Sequence, residues 1–451
     1  MAELRFPAGF TWGVATSAYQ IEGAVAEHGR GPSIWDTFSH TPGRTANGDH
    51  GDVACDHYHR YAEDVALMAD LGVTGYRFSV AWPRIQPTGR GAPDQRGLDF
   101  YARLVDALLR RGIEPCLTLY HWDLPQPLED AGGWLSRDTA ERFAEYAGIV
   151  AGALGDRVRL WVTQNEPVVT AFYGYGLGIH APGRTLLLDV FPVVHHLLTS
   201  HGLAVQAMRP RLRPDAVTGI AHSLGLGRPA GRSAADAAAA RALTAMQVHL
   251  YTDPAFGGGY PREVLEVLPA AGQQVIRDGD AALAALGHDF LGINYYAPQY
   301  ARAPSPGNPL PFDLAEPPPE LPRSGMGLAV DPSGLTELLL HLADRYGPAL
   351  PPAYITENGT PGHDLRGPDG GVRDPDRITY LEGHLAALRA AMDRGVDVRG
   401  YYCWSLLDNF EWTFGYDMRF GLVYVDFGSQ RRIRKTSYRW YSDLIARQPV
   451  R

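Results

Sequence analysis

The chain has 451 residues, a formal net charge of −9 and a hydrophobic share of 45%. Its like charges nowhere gather into a block, which excludes nucleic acid or an anionic membrane surface as the main partner, and no run approaches the roughly 20 apolar residues that cross a bilayer. Three cysteines, Cys55, Cys116 and Cys403, lie far apart without a Cys-x-x-Cys pair and fit a reducing cytoplasm rather than a disulfide framework or a zinc site.

The N-terminus passes from Met1 into Phe10-Thr11-Trp12-Gly13 with no basic start, apolar stretch or cleavage site, so no export signal is read there. Short β-rich apolar runs then alternate with longer helical patterns, the mark of βαβ units around a parallel sheet. Eight such runs begin near Phe10, Gly75, Pro115, Leu160, Ala216, Phe290, Ala353 and Val398. No linker-like break and no internal repeat divides 1–451, so the expectation is a single (β/α)8 barrel domain, α/β in class, with elaborated loops at the carboxyl ends of the strands.

After the first run, Tyr58, Tyr61, Ala62, Val65, Met68 and Ala69 recur at helical spacing and Gly72 stops the pattern. Asp56-His57-Tyr58-His59 holds a His-x-His pair, but it opens a helix instead of ending a strand and lacks a third ligand, so no metal and no cofactor are expected. In the second run Tyr76, Phe78 and Val80 alternate with Arg77 and Ser79. If the apolar set packs outward, Arg77 points into the barrel and implies a buried anion.

The Ala-rich stretch 234–245 suits an ordinary helix. Pro/Gly-rich stretches at about 302–325 and 361–376 each follow a predicted strand and are read as walls of an active-site mouth. The densest basic runs, Arg209-Pro210-Arg211-Leu212-Arg213 and Arg431-Arg432-Ile433-Arg434-Lys435, are read as solvated surface or helix-end charges.

In such barrels the chemistry comes from the carboxyl ends of the strands. Those ends carry Gln20 and Glu22, His121-Trp122-Asp123, Asn165-Glu166-Pro167, Asn294-Tyr295-Tyr296, Glu357-Asn358-Gly359 and Trp404. Glutamates ending the fourth and seventh strands can face each other across one mouth, the arrangement that glycoside hydrolysis needs: about 5–5.5 Å between carboxyls for retention, about 6.5–9.5 Å for inversion.

Thr163-Gln164-Asn165-Glu166-Pro167 and Ile355-Thr356-Glu357-Asn358-Gly359 resemble the paired signatures of glycoside hydrolase family 1, the β-glucosidase family. The resemblance runs from Phe10-Thr11-Trp12-Gly13 through Tyr76-Arg77-Phe78-Ser79 to Trp404-Ser405-Leu406-Leu407-Asp408-Asn409-Phe410-Glu411-Trp412. It implies a retaining enzyme with Glu357 as nucleophile and Glu166 as general acid and then base.

It also implies that Arg77 and Tyr296 support the nucleophile and keep its pKa low. Gln20, His121, Trp122, Asn165, Asn294, Trp404, Glu411, Trp412 and Phe420 are expected around the sugar, and His180 and Leu328 on the leaving-group side. Leu328 stands where many relatives have a tryptophan, which favours apolar aryl or alkyl leaving groups over sugars. Glu411, an acid, is expected to repel the phosphate of a 6-phosphoglycoside. The expected ligand is a β-glucoside or cello-oligosaccharide, with galactosides or fucosides turned over more slowly.

A transglycosylase or a 6-phospho-β-glycosidase could use the same scaffold. A silent sugar-binding barrel would lack one carboxylate, and a thioglucosidase would carry Gln in place of Glu166; neither departure is present.

Overall fold

The computed structural model describes residues 4–449; the first three residues of the N-terminal stretch searched for an export signal lie outside them. Eight parallel strands close into a barrel in chain order. They are β1 (Thr11–Ala15), β2 (Gly75–Ser79), β3 (Glu114–Tyr120), β4 (Leu160–Asn165), β5 (Val217–Ser223), β6 (Phe290–Asn294), β7 (Ala353–Asn358) and β8 (Val398–Trp404). Each run expected from the sequence is one of these strands, and β8 returns to β1 with Thr11 opposite Gly400 and Ala15 opposite Trp404.

The longest helices of the crossovers are α1 (His57–Leu71), α2 (Gln95–Leu109), α3 (Arg137–Leu154), α4 (Phe191–Met208), α5 (Ala234–Thr244), α6 (Ser333–Tyr346) and α7 (Pro375–Met392), with α8 (Thr436–Ala446) after the last strand. Period-two alternation splits each strand between two cores. Tyr76, Phe78, Trp161, Ile220, Ile293 and Ile355 join the helix layer, while Cys116, Leu160, Val162, Tyr354 and Tyr402 pack with one another in a separate cluster inside the barrel. Each fully buried large apolar side chain is worth about 1.5–3 kcal/mol relative to exposure. Tyr402 needs two glycines beside it: a Cβ on Gly13 would fall 2.3 Å, and one on Gly75 3.1 Å, from its ring.

Helix α1 ends as expected at Gly72, whose φ of 84° lets its N–H reach back to Met68 O and Ala69 O. Its buried face differs from the apolar pattern: Ala62 is exposed, and His57 and Asp64 are buried. Asp64 is drawn inward because Arg432 bonds its carboxylate at 3.0 Å and His57 at 2.7 Å. Within the basic run 431–435, Arg431 and Arg434 are exposed as expected, but Arg432 and Lys435 are not. Arg432 and Lys435 are 1% and 0% exposed, the latter bonded to Asp364 and Asp408, because each neutralises a carboxylate under the barrel rim.

The stretch 302–325 is likewise more than a mouth wall. Asp313–Ala315 pairs with Gln299–Arg302, which pairs with Gly227–Pro229, in a small side sheet. Among the described residues no helix is long and apolar enough to cross a membrane.

At the carboxyl ends the register brings the chemistry to one level. Ser223 of β5 lies opposite Asn294 of β6, and Asn294 opposite Glu357 of β7. On the other side Asn165 of β4 lies opposite Ala221, and Glu166 N–H donates to Ala221 O at 2.7 Å.

Candidate active site

A cavity of about 380 Å³ opens at this end of the barrel, lined by Glu166 and Glu357. Glu357 is 3% exposed and doubly held. Arg77 Nη1 donates to Oε1 at 2.5 Å and the Tyr296 hydroxyl donates to Oε2 at 2.7 Å. Arg77 is thus the inward cation the alternation predicted, and its anion is Glu357. The same guanidinium donates through Nη2 to Asn165 Oδ1 at 2.5 Å and through Nε to Thr118 Oγ1 at 3.2 Å, so it has little freedom to move.

Glu166 is 5% exposed and follows β4 with a φ of 48°. Its Oε1 accepts from Asn294 Nδ2 at 2.8 Å. Burial, and then the charge of Glu357, push its pKa up to about 8. Burial also raises Glu357, against the pull of Arg77 and Tyr296. The expectation of a low pKa for Glu357 is corrected to that extent, since desolvation outweighs the two contacts meant to oppose it. Only Glu357 has a cation against its carboxylate, so when one proton is shared by the two it resides on Glu166.

Asn165 organises the wall beside the acid. Its Oδ1 accepts from Arg77 and from Asn294 Nδ2, which fixes the amide orientation, and its Nδ2 donates to His121 Nε2 at 3.0 Å. His121 must then carry its proton on Nδ1, a buried atom with no partner in the protein. Burial, then Arg77, hold this imidazole well below its ordinary pKa, so it is neutral. Its Nδ1–H is the one ring donor left without a protein partner.

Trp122, Trp404, Glu411, Trp412 and Phe420 line the same cavity. Trp412 packs on Trp122 with ring centroids 4.6 Å apart, and His121 lies nearly parallel to Trp404 and Trp412 at 5.9 and 6.0 Å. Such a wall of flat faces and few polar groups suits a pyranose ring. His180 and Leu328 also line the cavity, the former packed against Trp122 and the latter 41% exposed.

Gln20 is fully buried behind this wall. Its amide donates to Asn409 Oδ1, Phe410 O and Glu411 Oε2 at 3.0, 2.9 and 3.2 Å, and its Oε1 accepts from Ser17. In this structure it braces Glu411, while Arg77, Asn165 and Asn294 brace the two catalytic candidates. Of the other strand-end residues, Glu22 bonds Arg84 and Tyr101, and Tyr295 bonds Asp331 O, all away from the cavity.

Burial, then Glu357, push the Glu411 carboxyl up to about 8, so near neutral pH it is largely uncharged. Repulsion of a phosphate by Glu411 is therefore weaker than its residue type suggested. What disfavours a phosphate is that neither lysine nor arginine is among the residues lining the cavity.

Comparison with known proteins agrees with this geometry. The profile of glycosyl hydrolase family 1 matches residues 2–449. The chain belongs to glycosyl hydrolase family 1.

Relatives within the family include Beta-glucosidase A of Thermotoga maritima, 44% identical over 98% of both chains. Thermostable beta-glucosidase B of Thermobispora bispora is 48% identical over 100% of this chain and 92% of its own length. The Bifunctional beta-D-glucosidase/beta-D-fucosidase of Bifidobacterium breve is 46% identical over 99% of both. Among solved structures, the family 1 β-glucosidase from Thermotoga maritima superimposes with a TM-score of 0.93 at 43% identity over 99% of each chain, and its complex with glucoimidazole is equally similar, with a TM-score of 0.93.

Sequence reasoning missed part of this family 1 cavity. Ser223 lines it beside Glu166, and inspection of the end of the fifth strand, as of the others, would have found it. Tyr173 and Val169 come from the helical turns just after Glu166, and Met326 and Tyr380 from segments whose approach only the closed barrel reveals. Of the two Pro/Gly-rich stretches only Ser324 and Pro361 reach the cavity. Much of 361–376 lines a separate side depression instead, where Asp364 is tied down by Lys435 and Arg377.

Proposed function

We propose that this family 1 protein hydrolyses terminal, non-phosphorylated β-D-glucosyl residues with retention, with Glu357 as nucleophile and Glu166 as acid and base. The observation that carries the reading is the asymmetry of the pair: Glu357 is gripped by Arg77 and Tyr296, while Glu166 has only amide and hydroxyl partners and a raised pKa.

A Glu357 oxygen attacks the anomeric carbon, the bond to the leaving oxygen breaks, and that oxygen takes the Glu166 proton. In the second step Glu166 takes a proton from water, the hydroxide oxygen attacks the anomeric carbon and the Glu357 ester bond breaks. The route requires carboxyls about 5–5.5 Å apart. His121, Asn165, Glu411 and the Trp404 face are the sugar contacts in this reading, with Gln20 acting through Glu411. One catalytic domain spanning the chain is part of it, supported by a barrel that closes β8 onto β1. Three buried, unpaired cysteines support a cytoplasmic location.

A panel of nitrophenyl glycosides tests the substrate. The β-glucoside is expected to give the highest kcat/KM, the β-fucoside and β-galactoside to follow, and the 6-phospho-β-glucoside to be turned over far more slowly. Equal rates on the phosphorylated and plain glucosides would overturn the reading. Cellobiose serves as the natural-type substrate, and product analysis at high acceptor concentration separates hydrolysis from transfer.

Leu328 sets the leaving-group preference in this reading. In Leu328→Trp the ratio of kcat/KM for cellobiose to that for an aryl glucoside should rise about 2- to 10-fold, the equivalent of 0.5–1.5 kcal/mol of added stacking. An unchanged ratio would show that another residue supplies the platform.

A further inference from the structure

We propose that His40, His50 and Asp52 form a binding site for a divalent transition-metal ion, zinc by preference, outside the catalytic cavity. The ligand atoms of these side chains lie within 4.8 Å of one another. His40 Nε2 is 3.3 Å from Asp52 Oδ2, and His50 Nδ1 is 3.3 Å from Asp52 Oδ1. Ligands about 2.0–2.1 Å from a tetrahedral zinc stand about 3.3 Å from each other, so both spacings match edges of its coordination shell. A charge-assisted hydrogen bond would be shorter, about 2.7–2.9 Å.

Two further features favour an ion. His40 follows the short helix Ile34–Ser39, and its Nδ1 lies 2.7 Å from Asp36 O, so Nδ1–H donates there and Nε2 is left facing Asp52 Oδ2. A backbone carbonyl on the far nitrogen is the usual way of orienting a metal-bound imidazole. Asp52 Oδ1 is shielded from solvent yet has no hydrogen-bond partner. The two rings now stack at 4.6 Å, and a shared ion would splay them, a rotation open to side chains 49% and 44% exposed.

Two imidazoles and one carboxylate suit zinc, nickel or copper, whereas calcium and magnesium select sets made of oxygen. The site is joined to the segment carrying Glu411 and Trp412. The Tyr416 hydroxyl donates to His50 O at 2.8 Å, Tyr416 N donates to Asp49 Oδ2 at 3.0 Å, and Asn47 Nδ2 donates to Asp417 at 3.2 Å. An ion here would tie together two segments at the edge of the cavity without entering it.

The test is calorimetric titration of ZnCl2 into the metal-stripped full chain with any polyhistidine tag removed. One ion per chain is expected. His50→Ala and Asp52→Asn should each weaken binding at least about tenfold, with unchanged hydrolysis of an aryl glucoside in the absence of metal. His59→Ala, which alters another exposed histidine bonded to Asp56 and Glu27, should leave binding intact. Absence of binding, or binding that survives the first two substitutions or is lost in the third, would overturn the site, whatever the outcome for the catalytic reading.

Discussion

Glu357→Ala is expected to lower kcat/KM for an aryl β-glucoside by at least about 10⁵-fold. Among the described residues no other carboxylate has Glu357's position: it is the one that Arg77 and Tyr296 hold, and without it no glycosyl ester can form. The substitution leaves room for a small anion. Azide should restore part of the turnover on a substrate with a good leaving group and give the α-glucosyl azide, because it enters from the face that Glu357 occupied. Removing one partner of a buried ion pair commonly costs about 3–5 kcal/mol. Here Arg77 keeps Asn165, Thr118 and the Thr356 carbonyl as acceptors, so the fold should survive. A melting transition within a few degrees of the parent, alongside the lost activity, separates a chemical defect from an unfolded one. Retention of more than about one-thousandth of the activity without azide would rule Glu357 out as the nucleophile.

Glu166→Gln should fail differently. Glutamine keeps the size of the side chain but has no proton to give or recover. A dinitrophenyl glucoside needs little help to leave, so the glycosyl-enzyme should form and accumulate, seen as a burst followed by turnover slowed about 10²–10⁴-fold. KM should fall with kcat, because the slow step now follows the ester. Azide needs no base and should restore turnover, giving the β-glucosyl azide. The pH profile supplies the second readout. An acid whose pKa is pushed up to about 8 stays protonated through neutral pH and loses its proton above it, so the parent's kcat/KM should fall on the alkaline side near that value. The variant should lose that limb. An alkaline limb that persists in Glu166→Gln would assign the proton to another group. The charge of Glu357 is the second cause of the rise, so esterifying Glu357 lowers the pKa of Glu166 and turns the acid of the first step into the base of the second.

Much of this was written locally in the chain. Short β-rich apolar runs set between helical patterns located all eight barrel strands, and alternation within the second of them marked which side chains face inward, because side-chain direction in a strand depends only on position along it. The same alternation turned Arg77 inward and foretold its buried anion. Residue type at the strand ends led to Glu166, Glu357, Tyr296 and Trp404, since a parallel barrel gathers those ends at one face.

The remainder is a matter of which partner each group meets in space. Arg432 and Lys435 were read as surface or helix-end charges and are buried against Asp64 and Asp408, the first pair made of residues far apart in sequence. That Gln20 meets Glu411 across the rim, 391 positions away, is likewise invisible along the chain. Glu357, expected to be held low by Arg77 and Tyr296, and Glu411, taken as a charged acid, have raised pKa values because desolvation depends on everything packed around a carboxyl. The sequence alone therefore determined the barrel and the identity of its two central glutamates, properties carried by periodicity and residue type. Only the tertiary structure decided which side chains line the cavity, which stand behind it and where the shared proton rests, because burial and Coulomb energy act through space and not along the chain.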